Sequence, residues 1–136
     1  MVREGSFPSR IKKSNTESVI MLLLKAIQNS ANAIRTAYLG MAIGTGSTPV
    51  TINDNALEAE AMRVASTNTI ITTTVANDTS NHSGTFVIAT PTLACTEAGV
   101  STVATPGGDF ASRQVFSVLN FVQNDNVIFV FKFVTS

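Results

Sequence analysis

The clearest pattern in the chain lies at its end. From Val127 to Val134 apolar residues occupy both phases of a two-residue alternation. Val127, Phe129, Phe131 and Phe133 share one face, and Ile128, Val130, Lys132 and Val134 share the other. A strand in a one-sided sheet alternates apolar with polar residues. This one is expected to be covered on both sides, by a helix or by another subunit.

Near the start the period changes. Ile20, Leu23, Leu24, Ile27, Ala31 and Ile34 recur at three- and four-residue spacing, with Lys25, Gln28, Asn29 and Asn32 opposite. Ser14 and Glu17 form a capping box in front of this run. The pattern predicts an amphipathic helix over residues 14–36.

Between these two segments the chain reads as short strands and turns. Tyr38 to Ile43 is a strand-like run that stops at Gly44-Thr45-Gly46-Ser47-Thr48-Pro49. Residues 54–63 are polar and suggest one or two helical turns. Thr67 to Ala76 is rich in Thr, Ile and Val, a strand signal, and Asn77-Asp78 marks a turn. Further strands are expected over 83–89, 93–100, 112–122 and 127–134. Pro106-Gly107-Gly108-Asp109 and Asn124-Asp125-Asn126 are the turns between the last ones. The order predicts a mainly β fold, an antiparallel β-sandwich or jelly-roll-like domain over residues 14–136 with one N-terminal helix.

Composition sharpens this picture. The chain has 136 residues, enough for one domain with a real core. Charged residues make up 13%, against about a quarter in an average soluble domain. Thr, Ser and Asn replace them. Such a surface suits a protein largely covered by partners. The formal net charge is +0, which argues against a nucleic-acid footprint over the whole domain. Positive charge gathers in residues 1–13, where Arg3, Arg10, Lys12 and Lys13 face only Glu4. This is expected to be an extended basic arm that orders on a neighbouring subunit. The apolar run Val19–Leu24 is too short to cross a bilayer, and no signal-peptide pattern precedes it. Synthesis and folding in a cytoplasm are expected.

Candidate chemistry is sparse. His82, the single histidine, has no Cys or His partner at ligand spacing and reads as a surface or turn residue. Cys95 sits in an apolar stretch and reads as a buried, inert thiol. Gly44-Thr45-Gly46-Ser47-Thr48 lacks the Lys-Ser/Thr end of a phosphate loop and reads as a plain turn. No catalytic residue, cofactor or metal is expected. Glu97 and Arg113 each stand among apolar strand residues, where a charge must be paired or lie at an edge. They are expected to form an ion pair that fixes strand register, with Arg63 the competing partner for Glu97.

One further pattern runs in order along the last hundred residues or so. It comprises Met41-Ala42-Ile43-Gly44-Thr45-Gly46-Ser47-Thr48-Pro49, Asp54-Asn55-Ala56-Leu57-Glu58-Ala59-Glu60 with Arg63, the Thr-rich strand with Val75-Ala76-Asn77-Asp78-Thr79, and Cys95-Thr96-Glu97-Ala98-Gly99-Val100. It closes with Gly108-Asp109-Phe110-Ala111-Ser112-Arg113-Gln114-Val115-Phe116. The sequence resembles a family of small structural proteins of tailed phages at these segments. It departs from the family at Val100, where an aromatic often follows, and the basic arm is not part of the pattern. The resemblance implies a non-enzymatic virion protein. In that reading it decorates or cements the capsid by bridging major capsid subunits, or serves as a tail, baseplate or fibre-attachment part. The partners implied are other virion proteins and further copies of the chain, with no membrane and no specific nucleic acid. A host-glycan-binding module is the alternative of another class, disfavoured by a single Tyr and no Trp. Structural-motif residues are then Gly44, Gly46, Glu97, Gly99 and Arg113. Interface residues are expected at Arg3, Arg10, Lys12, Lys13, Phe129, Phe131 and Phe133.

Overall fold

The computed structural model describes residues 14–135, with side chains from Lys25 onward. The basic arm, with Arg3, Arg10, Lys12 and Lys13, lies outside the described residues, as do the side chains of Ile20, Leu23 and Leu24. One helix, α1 (Ser14–Ala37), precedes seven strands: β1 (Gly40–Gly44), β2 (Glu60–Ala65), β3 (Thr67–Ile71), β4 (Thr79–Val87), β5 (Thr92–Ser101), β6 (Phe110–Val122) and β7 (Asn126–Val134).

The strands form two antiparallel sheets, ordered β2-β1-β5-β6 and β3-β4-β7. The fold is an antiparallel β-sandwich. At one side the chain passes between sheets at Ser66, from β2 into β3. At the other side β6 and β7 follow each other through a short turn, in which Asn124 takes a positive φ of 72°. Among the described residues both are edge strands, so this side of the sandwich carries two open edges there.

The core lies between the sheets. Met41, Ile43, Phe86, Ile88, Cys95 and Val100 are fully buried there. Phe129, Phe131 and Phe133 pack against that core, because the β4–β7 register sets them opposite Gly84, His82 and Ser80. The expectation that these phenylalanines form an interface is therefore corrected. They line the inner face of β7 and are half-buried within the fold.

Among the described residues nothing covers the opposite face of β7. Ile128 is 65% exposed, Val130 52% and Val134 46%. The expected second cover is not supplied by α1. The helix lies against β3, β4 and the end of β7. Ala31 is buried there, Thr135 Oγ1 donates to the Ile27 carbonyl, and Asn68 Nδ2 donates to the Arg35 and Tyr38 carbonyls.

Several boundaries differ from those expected. Residues 54–63 are not helical: 54–59 form a loop and Glu60 opens β2. The Thr-rich strand ends at Ile71, and residues 72–78 make a loop instead. Asp78 organises that loop by accepting from the backbone N–H groups of Thr73, Thr74 and Val75. A short side chain that binds nearby backbone competes with strand formation. His82 lies in β4, fully buried, and is neither a surface nor a turn residue.

Candidate functional site

The most elaborate side-chain arrangement lies on the outer face of the four-stranded sheet. A bulge creates it. Leu93, Cys95 and Ala98 all join the core, while Glu97, opposite Gly44, faces away from it. Strict alternation from Leu93 and Cys95 would turn Glu97 inward. The β5–β6 register shift between Cys95 and Glu97 reverses the phase.

Glu97 is fully buried beneath the loop 45–59. Its carboxylate accepts from the backbone N–H groups of Gly46 (2.8 Å), Glu58 (3.0 Å) and Ala59 (2.8 Å), and from Arg113 Nε at 2.8 Å. The remaining nitrogens of Arg113 reach into the same loop. Nη1 donates to Asp54 Oδ2 at 2.8 Å and Nη2 to the Thr48 carbonyl at 3.0 Å, with Glu58 Oε1 3.7 Å away. The expected Glu97–Arg113 pair is thus present. It ties β5 to β6 and, beyond what was expected, fastens the loop onto the sheet.

Gly44 and Gly46 take their reason from the close packing of the loop and this carboxylate: a Cβ would stand 2.3 Å from the Ala59 carbonyl oxygen at Gly44 and 2.4 Å from Glu58 Cβ at Gly46. Neither has a positive φ. A Cβ on Gly44 would stand 2.7 Å from Glu97 Oε2, and one on Gly46 2.6 Å from it. Gly99 leaves room for the Phe110 ring, 2.6 Å from where its Cβ would be. Phe110 joins Ala42 and Leu57 in a second, smaller apolar cluster on this outer face.

Arg63 does not compete for Glu97. It is bidentate to Glu60 (2.6 and 2.8 Å), and its Nη1 faces Ser101 Oγ and the carbonyls of Val103, Thr105 and Gly107. Its guanidinium lies over the Phe110 ring, 4.9 Å from the centroid. Each arginine therefore fastens one loop, Arg113 the loop 45–59 and Arg63 the loop 102–109.

The electrostatics agree with full ionisation. Burial pushes the Glu97 carboxyl up, but Arg113 and the three backbone donors more than offset this, and its pKa is lowered. The Thr51 side chain, its backbone N–H and Arg113 lower Asp54. The Thr48 side chain does the same for Glu58, followed by the backbone of Thr48. The Glu97 hydrogen bond leads in raising Arg113.

A shallow cavity of about 180 Å³ opens beside Arg113, lined by Thr48, Pro49, Thr51, Asp54, Ala56 and Glu58. The hydrogen-bonding groups around it are largely committed to one another. Among the described residues no three His, Cys, Asp or Glu side chains gather as a metal site, and no helix is long and apolar enough to cross a membrane. Cys95 is buried, and its thiol pKa is raised by burial. His82 Nε2 lies 2.7 Å from Ser80 Oγ, and the ring is edge-on to Phe133 at 5.3 Å. Among the described residues its Nδ1 has no partner in hydrogen-bonding geometry. Burial lowers its pKa, and the Tyr38 backbone offsets part of the shift.

Two features stand out among the described residues: a fastened loop on one outer face and an exposed apolar strand face on the other. Sequence reasoning found Glu97 and Arg113 but missed Asp54 and Glu58 as their partners. The Asp54-x-x-x-Glu58 spacing inside a loop rich in Thr was the available signal. No family model, curated protein or solved structure matches this chain.

Proposed function

We propose that this chain is a non-enzymatic structural protein of a tailed-phage particle. It acts as a capsid decoration or cement protein that bridges major capsid subunits and associates with copies of itself. It is assembled in the host cytoplasm and resides in the virion. The observation that carries an assembly role is the outer face of β7. Ile128, Val130 and Val134 stand exposed on an edge strand whose outward backbone groups have no neighbouring strand among the described residues. Folded proteins normally blunt such an edge, and one left apolar and open is a surface for pairing. Lys132 is the only charged side chain on this face of β7. The low overall charge supports the same reading. The placement in a phage particle rests on the sequence resemblance from Met41 onward.

Particles made with and without this gene test the proposal. Loss of a cement protein lowers the temperature at which the shell releases its genome and leaves the tails intact. Unchanged shell stability with missing or non-adsorbing tails would move the protein to the tail, baseplate or fibre attachment. Particles unaltered in both respects would refute the assembly role.

A further inference from the structure

The sandwich is closed on one side and open on the other. Beside β2 and β3 the chain itself crosses between the sheets at Ser66. Beside β6 and β7 no further strand pairs with either edge among the described residues. These two edges face each other across the gap between the sheets, where the Phe116 and Phe129 rings lie 5.9 Å apart. Burial follows the same division. On the inner strands Met41, Ile43, Phe86, Cys95 and Val100 are fully buried, whereas the inward Phe116, Phe121, Val127, Phe129, Phe131 and Phe133 of the two edges are half-buried. Six of the eleven large apolar side chains exposed among the described residues also sit on these strands, namely Val118, Leu119, Val122, Ile128, Val130 and Val134. The core thus runs out to an apolar rim. Edge strands are normally blunted by charge or proline. From Gln114 to Val134 there is no proline, and the only charged residues are Asp125, which accepts the Val122 N–H in the turn, and Lys132.

We infer that this open side is a two-fold interface between two copies of the chain, with β7 pairing antiparallel to its own counterpart and β6 brought beside β6 of the second copy. The rim itself identifies the occupant. It offers no charge pattern for a charged partner to match, and a second copy presents the same neutral, apolar edges at the same lengths. Both open edges lie on one side, so a single two-fold axis normal to the sheets covers both at once. Val130 is the midpoint of β7 (Asn126–Val134), so the register that uses the whole strand sets Val130 against its own counterpart and Ile128 against Lys132 of the second copy. That register keeps the two Lys132 side chains apart. A strand of this length spans ~30 Å, and two stacked sheets with their side chains present a rim roughly 20 Å deep. The contact then buries about 600 Å² on each copy, or about 1,200 Å² in all, above the ~1,000 Å² expected of a specific interface. The inference deepens the self-association in the reading above and does not depend on the particle.

Analytical ultracentrifugation of the purified full chain, with one cross-link, tests it. The wild type sediments as a dimer, at twice the chain mass of 14.3 kDa. Val130→Cys stands within disulfide reach of its counterpart and forms an interchain disulfide on mild oxidation. Ile52→Cys, more exposed but on the loop 45–59, does not. The native Cys95 is buried and stays out of the reaction. Val130→Lys sets like charges opposite each other and weakens the dimer about tenfold or more, while its circular dichroism matches the wild type. A wild type that remains monomeric at about 100 µM overturns the inference and leaves the virion reading to the particle experiment. A dimer that Val130→Lys does not weaken overturns it as well, as does an Ile52→Cys variant that cross-links as readily as Val130→Cys.

Discussion

At the residue scale the decisive group is Glu97. It is fully buried, and four donors converge on its two oxygens. Glu97→Gln keeps the shape but removes the charge that Arg113 faces, and it turns an amide toward backbone donors. Breaking one member of a buried pair costs about 3–5 kcal/mol, so denaturant unfolding of this variant should show a loss of that size. Acid acts on the same cluster. The pKa values of Glu97, Asp54 and Glu58 are lowered on folding, so their contribution is full above the ordinary carboxylate range and is lost as pH falls through the lowered values. His82 acts at higher pH. Its folded pKa is depressed, so the unfolded chain takes up a proton first, and stability declines as pH falls from about 6.5 toward the folded value. Melting temperature measured between pH 7 and 5 should therefore fall with pH in the wild type and stay flatter in His82→Leu. Equal slopes would show that His82 is not the titrating group.

Glu97 and Arg113 were legible in the sequence because a charge among apolar strand residues demands a partner. His82 was not. A lone histidine beside Asn81 and Ser83 carries no burial signal; the β4–β7 register sets it opposite Phe131, with its ring edge-on to the neighbouring Phe133.

At the element scale β7 shows what alternation can and cannot settle. The two apolar phases were plain in the sequence, and so was the strand. Which phase faces the core was not, because both consist of large apolar residues. The choice is made by β4, whose inward positions include Gly84. A Cβ there would meet Met41 Sδ at 2.8 Å, so the sheets approach closely at that point. The two phases predict opposite behaviour. Val130→Lys on the bare face should keep stability within about 0.5 kcal/mol and reduce self-association in analytical ultracentrifugation. Phe131→Ala, on the core face, should cost about 3–5 kcal/mol. The missed strand β2 has a related cause. Met62 and Val64 pack inward while Glu60 and Arg63 serve the loop side, so its polar half suggested helix or loop. The helix 14–37 was the easiest element, since a capping box and a long apolar period agree.

At the scale of the whole molecule the fold presents two unlike surfaces back to back. One is a strand edge with Ile128, Val130 and Val134 exposed; the other is a fastened loop tip with Ile52 exposed. The sequence predicted the sandwich, because turn residues punctuate β-rich runs at close intervals. It could not predict that two arginines fold loops back over the outer face of one sheet, since that depends on the bulge at Thr96 and on contacts far apart in the chain. The proposed cement role requires a copy number matched to the lattice that the protein joins. The direct measurement is the molar ratio of this chain to the major capsid protein in gradient-purified particles. A cement role gives a fixed ratio of a similar order to the capsid subunits themselves; absence from the particles, with the protein remaining free in the lysate, would rule that role out.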